Sequence, residues 1–504
     1  MSYLLGVDLG TTGLKCAICD EAGKLLAISR RIYPFVSPQP GWAEHNPNTW
    51  WIAAKQAIRE TLGKSHIDPN NVKAVSLCGF HHCPVFLDNK GQVLRNTITT
   101  HDKRTIESWK TLKEQGVLTL LEKATGSAVG TCHFPPIFHW IRSHDRNSIK
   151  HCSHILMPKD FLRFKLTGEI ITDICDATGT HLVNPESLNW SEELAKMMRV
   201  PLSWLPPIQA PAEYGGQITS LAAKETGLVK GTPVITGGGD THCALLGMGV
   251  LNEGQAGMIV GTSAVIRACF AKFAPDGKIR CYIQHHVVPG IWCNAASIFS
   301  GASSLQWGVE RFGSLSEKGG EDPYVEAICL AETVQPGCQG LIFHPFLFGR
   351  RTPYYDPYAR GIFFNLSFWH TRAHFLRSIL EGVGYAMREC LEIIKEVQTD
   401  YQVAPLNELR ASGGGIKFPF WRQIFADILE LPIVITNVQE VGTFGAAMLA
   451  GIGIGLYKDP ADAVAKCVKI KQITYPYRNN MKVYRKNYCL WKELYVRVKD
   501  LYLT

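Results

Sequence analysis

Two short turns rich in glycine and hydroxyl side chains have the composition of phosphate-binding loops. The first is DLGTTG at residues 8–13, and the second is GTS at residues 261–263. Glycine lets the backbone approach an anion closely, while hydroxyl groups and the peptide N–H groups of a tight turn donate hydrogen bonds into one concavity. The same phosphate-binding element is therefore predicted twice, about half a chain apart.

An acidic residue stands where a general base would be placed. The sequence TGGGDT at residues 236–241 follows an apolar strand-like run and precedes an apolar helical run, so Asp240 lies at a predicted strand-to-helix junction. A carboxylate at such a junction can accept a proton from a substrate hydroxyl. Aspartate is also a favourable helix N-cap, and the two roles are compatible. Three glycines, however, clear more space than a cap requires.

A third glycine cluster, SGGG at residues 412–415, lies between a strand-like run at 406–410 and a helix predicted for 418–429. Its glycines would form a flat surface against which a base or a ribose can lie, and an ordinary flexible turn is the alternative.

The elements around these turns follow from hydrophobic periodicity. Strand-like runs at 3–7 and 14–19 flank the first turn, and runs at 255–260 and 264–269 flank the second, so each turn is the predicted tip of a β-hairpin. Asn46 and Pro47 predict the start of a helix that continues to about residue 62. We also predict a buried strand at 72–78, a helix-rich stretch at 105–165, a long helix at 371–399 and a C-terminal helix docked by its aromatic face.

Eight sequence strings, in this order, resemble those of the FGGY carbohydrate kinases, and among these the xylulokinase-like members. The strings are DLGTTGLK (8–15), GWAEHNPNTWW (41–51), LMPKDFLRFKLTGE (156–169), GGGD (237–240), VGTSA (260–264), HPFLFGRRTPYYDPYARGIFFNL (344–366), LEGVGYAMRE (380–389) and SGGGIKFPFWRQIFADI (412–428). The resemblance implies two RNase H-like α/β domains of the actin and sugar-kinase ATPase type around a deep cleft. It also implies transfer of the ATP γ-phosphoryl group to a hydroxyl of a sugar or polyol, with Mg²⁺.

By this resemblance, residues 1–250 form the domain with the sugar side and the first phosphate hairpin, and residues 251–504 form the domain with the second hairpin and the adenosine site.

The resemblance also implies roles for individual residues. Asp240 would be the catalytic base, and Asp8 together with Asp240 would hold Mg²⁺, Asp8 through water. Lys15 and Lys417 would contact the nucleotide or, equally, face solvent. The implied ATP-binding residues are Gly10, Thr11, Thr12, Lys15, Gly261, Thr262, Gly414, Gly415 and Lys417.

The implied sugar-binding residues are His81, His82, Asp102, Arg104, Asp240 and Thr241. Here the chain departs from xylulokinases, which carry Met-His where this chain has His81-His82. The usual Trp-Asn-Asp-x-Arg reads THDKR at residues 100–104, Ile137 replaces a lysine, and Thr241 replaces the usual asparagine. We therefore expect a pocket of different shape and polarity, and an acceptor that is xylulose or, alternatively, another ketose, a tetritol, a pentitol or an aldonate.

Composition favours a soluble cytoplasmic enzyme. The chain has 504 residues, a net charge of +8 and 46% hydrophobic residues, with no apolar stretch of membrane-spanning length and no basic segment before the first strand. We expect ATP and a small sugar or polyol as partners, no nucleic acid and no membrane, and the resemblance allows a homodimer.

The sixteen cysteines are expected to be reduced thiols. Cys16 and Cys19 should point to opposite faces of a strand and not share a metal.

Two other classes of function remain at this stage. A non-catalytic sugar or nucleotide sensor of the same fold would be favoured by loss of the base, but Asp240 is present. An actin-like or chaperone-like protein would not need the sugar contacts offered by His82, Asp102 and Arg104.

Overall fold

The computed structural model describes residues 2–312 and 322–502, in two compact units. The first unit consists of Met1–Asn252, Cys269–Cys293 and Val438–Lys469, and the second of Glu253–Ala268, Asn294–Asn437 and Ile470–Thr504. The units therefore differ from two contiguous halves divided near residue 250, because two later segments pack with the first unit. The division at 1–250 and 251–504 stays a prediction as a domain boundary.

The strands are β1 (Tyr3–Leu9), β2 (Gly13–Asp20), β3 (Leu25–Ile32), β4 (Glu44–His45), β5 (Val72–Gly79), β6 (Val85–Leu87), β7 (Thr97–Ile98), β8 (His154–Leu156), β9 (Thr172–Asp173), β10 (Ile208–Gln209), β11 (Tyr214–Gln217), β12 (Pro233–Gly239), β13 (Ala256–Val260), β14 (Ala264–Phe270), β15 (Tyr282–His285), β16 (Trp292–Ile298), β17 (Ile342–His344), β18 (Ile362–Phe364), β19 (Leu409–Ser412), β20 (Ile433–Thr436) and β21 (Ile470–Thr474).

The α-helices are α1 (Pro47–Ser65), α2 (Ile106–Glu114), α3 (Val117–Thr125), α4 (Phe134–His144), α5 (Arg146–His151), α6 (Pro158–Thr167), α7 (Ile174–Gly179), α8 (Glu192–Met198), α9 (Ser220–Thr226), α10 (Asp240–Gly247), α11 (Ala302–Phe312), α12 (Pro323–Glu332), α13 (Arg372–Asp400), α14 (Pro419–Leu429), α15 (Val441–Gly453), α16 (Pro460–Cys467) and α17 (Arg478–Val498).

A six-stranded mixed sheet forms the centre of the first unit, in the order β11-β12-β5-β1-β2-β3. β1 and β2 form the predicted antiparallel hairpin, and β1, β5 and β12 run parallel. The two faces of the sheet are covered by separate hydrophobic clusters, so Leu5 packs with α1 on one side and Leu4 with α15 on the other. Cys16 and Cys19 lie in different clusters, which confirms that they point to opposite faces.

Glycines let the main chains of three site-bearing elements touch directly. A Cβ at Gly6 of β1 would lie 2.0 Å from the carbonyl oxygen of Thr443 in α15. A Cβ at Gly445 of α15 would lie 1.8 Å from the carbonyl oxygen of Cys243 in α10. No side chain separates these backbones, so β1, which carries Asp8, and α10, which begins with Asp240, are both located by contact with α15.

In the second unit, the sheet has neighbouring strands in the order β16-β14-β13-β19-β20-β21. β13 and β14 form the second predicted hairpin. The predicted long helix is α13, which begins after the N-cap Thr371. The C-terminal helix α17 buries its aromatic residues, and Trp491 donates from Nε1 to the carbonyl oxygen of Phe343 at 3.0 Å. The docked aromatic face predicted from the spacing is therefore confirmed.

Several local predictions are confirmed, with shifted boundaries. Asn46 caps α1 and accepts from the N–H of Asn48, but the helix continues to Ser65. The strand before the third glycine cluster begins at Leu409, three residues later than predicted. The cap interpretation of Asp240 is wrong, because Gly239 is the N-cap and Asp240 is the first helical residue. Within residues 2–312 and 322–502, no helix combines the length and the apolar composition needed to cross a bilayer.

Candidate functional site

The turn between β1 and β2 is held through its carbonyl groups. Tyr33 donates from its hydroxyl to the carbonyl oxygen of Gly10, and His45 donates from Nε2 to the carbonyl oxygen of Thr11 at 2.9 Å. The N–H of Gly10 closes the turn by donating to the oxygen of Gly13 at 3.0 Å. Thr11 is half-buried and Thr12 is exposed. A ligand can therefore reach the hydroxyl groups at the tip of the turn.

Asp8 lies on the strand that leads into this turn and is half-buried. Its Oδ1 is buried and makes no hydrogen bond to any part of the chain that the structure describes. Burial, and next the negative charge of Asp240, raise the pKa of Asp8 to about 6. Lys15 is its cross-strand neighbour and opposes this rise, but the Lys15 ammonium is paired with Glu440 Oε2 at 2.6 Å. A hard cation that prefers oxygen ligands, such as Mg²⁺, fits this donor set.

Asp240 is the more accessible of the two carboxylates. Its side chain is 31% exposed, and its Oδ1 accepts from the backbone N–H of Thr241 at 2.6 Å. The same oxygen lies 3.5 Å from His81 Nε2. The hydroxyl oxygen of Thr241 is buried and has no hydrogen-bond partner among the described residues. The structure therefore brings together Asp8, Asp240, His81 and Thr241 of the predicted site within the first unit.

A buried ion cluster lies behind His81, and no sequence signal assigned it a role. Lys159 is fully buried, with its ammonium 2.5 Å from Asp160 Oδ1, 2.6 Å from Asp173 Oδ2 and 3.1 Å from Asp176 Oδ2. Arg163 pairs with Asp160 at 3.0 Å. The three carboxylates are close enough together to hold a metal ion, but the Lys159 ammonium already lies among them and contacts all three. Burial alone would raise the pKa of Asp176, yet Lys159 and then His81 outweigh it and lower that pKa.

His82 belongs to a column of buried aromatic and imidazole rings. Its backbone is left-handed (φ 70°), a conformation that is uncommon outside glycine and clusters at functional sites. Nδ1 donates to the carbonyl oxygen of Gly179 at 3.2 Å, so Nε2 accepts from the Tyr282 hydroxyl at 2.5 Å. The ring stacks on His133, which in turn stacks on His181. Sequence reasoning missed Tyr282, His133 and His181, since they are distant in the chain.

Asp102 and Arg104 bind each other. Arg104 donates from Nε and Nη2 to Asp102, which also accepts from the N–H of Ala43 at 2.6 Å. Arg104 further pairs with Glu44 at 2.7 Å and stacks over Trp42 at 3.5 Å. These contacts give both residues a structural role, and their contact with a sugar stays a prediction.

The turn between β13 and β14, in the second unit, is anchored by backbone hydrogen bonds. Gly261 accepts from the N–H of Ala302 at 2.7 Å, and Thr262 accepts from the N–H of Gly301 at 2.8 Å. Both donors lie at the start of α11. Thr262 is exposed.

The third glycine cluster divides into two kinds of position. Gly414 faces open space, since no atom lies within 4 Å of a Cβ built there. Gly415 is buried, and a Cβ there would lie 2.7 Å from Val260 Cγ1, so its glycine serves packing. Lys417 is exposed at the turn that precedes α14. Contacts of these residues with adenosine stay predictions.

Cys269, His286 and Cys293 form a second buried group with the composition of a metal site, their ligand atoms lying within 4.8 Å of one another. His286 Nδ1 accepts from the N–H of Val288 at 2.9 Å. A neutral imidazole in this state carries its proton on Nε2, so neither nitrogen offers a lone pair to a metal. The neighbouring His81, His82, Cys83 and His101 are not among the groups with metal-ligand spacing in the described residues.

Comparison with known proteins decides the family. The N-terminal domain of the FGGY family of carbohydrate kinases matches residues 3–247, and its C-terminal domain matches residues 256–454. A xylulose kinase of Lactococcus lactis subsp. lactis (strain IL1403) is 31% identical over 506 residues, covering 99% of this chain and 98% of the relative. The chain belongs to the FGGY family of carbohydrate kinases. This carbohydrate kinase is a phosphotransferase that uses ATP and an alcohol group as acceptor.

Solved structures show the same fold. Xylulose kinase from Lactobacillus acidophilus has a TM-score of 0.91 at 24% identity, covering 100% of this chain and 99% of its own. Gluconate kinase from the same organism has a TM-score of 0.90 at 24% identity, covering 99% and 98%. The predicted two-domain sugar-kinase fold is thereby confirmed. Since proteins named for a ketose and for an aldonate share it, the fold alone does not select the acceptor of this carbohydrate kinase.

Proposed function

We propose that this carbohydrate kinase phosphorylates a short-chain ketose or polyol with Asp240 as the general base. The observation that carries the proposal is the state of Asp240. It is a partly exposed carboxylate at the start of α10, its Oδ1 contacts the Thr241 N–H, and it lies close enough to Asp8 for its charge to raise the pKa of Asp8. In phosphoryl transfer, catalysis depends on in-line positioning and on neutralising charge, and a positioned base accepts the hydroxyl proton.

The bond changes assign a role to each group. The acceptor hydroxyl gives its proton to Asp240, and its oxygen bonds to the γ-phosphorus of ATP. The bond from that phosphorus to the β–γ bridging oxygen breaks, and ADP leaves with the electron pair. Thr241, whose hydroxyl oxygen is buried beside the base, would orient the acceptor.

Asp8 and Asp240 are the carboxylates that would hold Mg²⁺, which when bound neutralises phosphate charge. The unsatisfied Asp8 Oδ1 and the raised pKa of this carboxyl support the assignment, because both mark a site where a positive charge is favoured. The tip of the first hairpin, with Gly10, Thr11 and Thr12, would donate to the γ-phosphate, and Lys15 would contribute only weakly because Glu440 already neutralises it.

Within the second unit, the Gly261-Thr262 turn would donate to ATP phosphates, and Gly414 would lie under the adenosine. The open space at Gly414 supports this role. Gly415, which is packed against Val260, would maintain the flat surface formed by this glycine cluster and would not contact the nucleotide.

We propose that the preferred acceptor is a ketose or polyol similar to D-xylulose in chain length, with a higher kcat/KM than D-xylulose itself. The His82-Tyr282 pair makes this region of the first unit polar, and buried polar groups left unpaired penalise a poorly matched substrate strongly.

The test is a coupled ADP-release screen over ketopentoses, pentitols, tetritols and aldonates, at saturating ATP and with an acceptor-free control for ATP hydrolysis. We expect one acceptor to exceed D-xylulose in kcat/KM. D-Xylulose as clearly the best acceptor would overturn the specificity and leave the kinase assignment intact.

A further inference from the structure

One imidazole connects the accessible carboxylate of Asp240 to the buried ion cluster. His81 is 7% exposed, and its Nδ1 lies 2.7 Å from Asp176 Oδ1 while its Nε2 lies 3.5 Å from Asp240 Oδ1. Asp176 is itself held by the Lys159 ammonium at 3.1 Å. A continuous series of polar contacts therefore runs from the buried cluster to the partly exposed carboxylate of Asp240.

The position of the His81 ring depends on the residue that precedes the base. A Cβ at Gly239 would lie 1.7 Å from His81 Cε1 and 2.4 Å from its Nε2, so the ring occupies the space that a side chain at 239 would need. On the other side, the ring contacts that of His242 with centroids 5.2 Å apart. The third glycine of the TGGGDT string thus admits the imidazole against the base.

Resting on the proposed function of Asp240, we infer that His81 is a positioning residue: anchored through Asp176, it fixes the orientation of the Asp240 carboxylate through Oδ1. The Thr241 N–H contacts the same oxygen, so the two contacts together define the direction of the carboxylate. Catalysis is sensitive to such alignment, since a displacement of about 1 Å can cost about a hundredfold in rate.

The ion cluster gives His81 a fixed anchor. The cluster contains three carboxylates, those of Asp160, Asp173 and Asp176, and two cations, Lys159 and Arg163, all of them buried. His81 Nδ1 lies within hydrogen-bond distance of Asp176 Oδ1, at 2.7 Å, and this contact leaves Nε2 directed toward Asp240. The cluster then holds His81, and His81 holds Asp240.

The experiment compares two amides of different reach. In His81→Asn the amide reaches the former Nδ1 position and keeps the Asp176 contact only, whereas in His81→Gln it reaches the former Nε2 position beside Asp240. With the best acceptor from the screen, we expect His81→Asn to lower kcat by about ten- to a hundredfold with acceptor Kd and ATP KM nearly unchanged. His81→Gln should recover most of that loss.

A double-mutant cycle with Asp240→Asn shows through which residue His81 acts. If His81 works by orienting Asp240, His81→Asn should change the residual single-turnover rate of Asp240→Asn by less than about twofold. His181→Asn is the matched control, since His181 is also a buried histidine of the same unit and its described contacts are to Thr125 and His133, not to Asp240. It should lower the melting temperature and change kcat by the same factor in both backgrounds.

The outcomes separate the inference from the proposed function. Near-normal turnover in the single variant Asp240→Asn would show that Asp240 is not the general base, and it would overturn the positioning role of His81 as well. A strongly impaired Asp240→Asn together with a wild-type kcat in His81→Asn would overturn only the positioning role. The positioning role would also be overturned if His81→Asn lowered the rate by the same factor in the Asp240→Asn background as in the wild type. An effect of His81→Asn on the acceptor KM alone would overturn it too, and would make His81 a sugar ligand.

Discussion

The turn between β1 and β2 is bordered by ionisable side chains, whereas the turn between β13 and β14 is held by uncharged N–H and hydroxyl donors at the start of α11. Beside the first lie Asp8, Lys15 and Asp240, whose charges influence one another. Around the second, Gly261 and Thr262 accept hydrogen bonds from backbone N–H groups at the start of α11, and Thr262 also accepts from the Ser303 hydroxyl at 2.8 Å. The same glycine-hydroxyl pattern thus occurs in two electrostatic settings. Under the proposed function, the comparison leads us to expect the chemistry in the first unit and donors for phosphate binding in the second.

The largest expected effect is that of Asp240→Asn in the first unit. Loss of a general base typically costs about a hundredfold to ten-thousandfold in kcat, and the isosteric amide preserves the Thr241 N–H contact. Steady-state kinetics would measure the loss, with isothermal titration of the acceptor as the control for intact binding. Turnover close to that of the wild type would show that another group takes the proton.

The second effect concerns the stability of the first unit in acid. Burial lowers the pKa of His181 from 6.5 to about 3, so between these values the unfolded chain binds more protons than the folded one. The free energy of unfolding therefore rises with pH in this window, and His181 costs about 2 kcal/mol at pH 5 relative to pH 7.5.

His181→Gln should flatten this dependence by that amount in urea titrations at the two pH values. His151→Gln, at an exposed histidine of the same unit, is the control and should leave the slope unchanged. Equal slopes for wild type and His181→Gln would argue that His181 is charged or solvated in the folded state.

The smallest effect is expected at the turn of the second unit. A Cβ at Gly261 would come no closer than 3.8 Å to its nearest neighbour, so alanine fits the fold while hindering close approach of a phosphate. We expect Gly261→Ala to raise the KM for ATP by about tenfold and to change kcat much less, since binding rather than chemistry is affected. Gly277→Ala, at a glycine with open space around it, is the control. A loss of kcat with unchanged KM would place chemistry in the second unit as well.

Local patterns in the sequence predicted the elements that carry the site. Both hairpins follow from alternating apolar residues around a glycine turn, and the start of α1 follows from Asn46 and Pro47. The glycine string before Asp240 correctly predicted a strand-to-helix junction but not the identity of the cap. Gly239 is the N-cap, and Asp240 is the first helical residue, with its Oδ1 3.5 Å from His81 Nε2.

Contacts between side chains that are far apart in the chain could not be predicted from the sequence. Nothing local to His82 points to Tyr282, 200 residues later, and nothing local to His81 points to Asp176. The pairing of Asp102 with Arg104 was also missed, since two residues chosen as sugar contacts satisfy each other. These contacts depend on how helices and loops converge on the sheet, which periodicity does not encode.

The direct backbone contacts at Gly6 and Gly445 bear on how the enzyme loses activity when heated. Side-chain packing loosens gradually as rotamers become accessible, but a main chain lying on another main chain has no intervening rotamers to loosen. The elements that carry Asp8 and Asp240 should therefore keep their relative placement until the first unit melts as a whole. Heat inactivation would then follow the cooperative unfolding curve instead of preceding it.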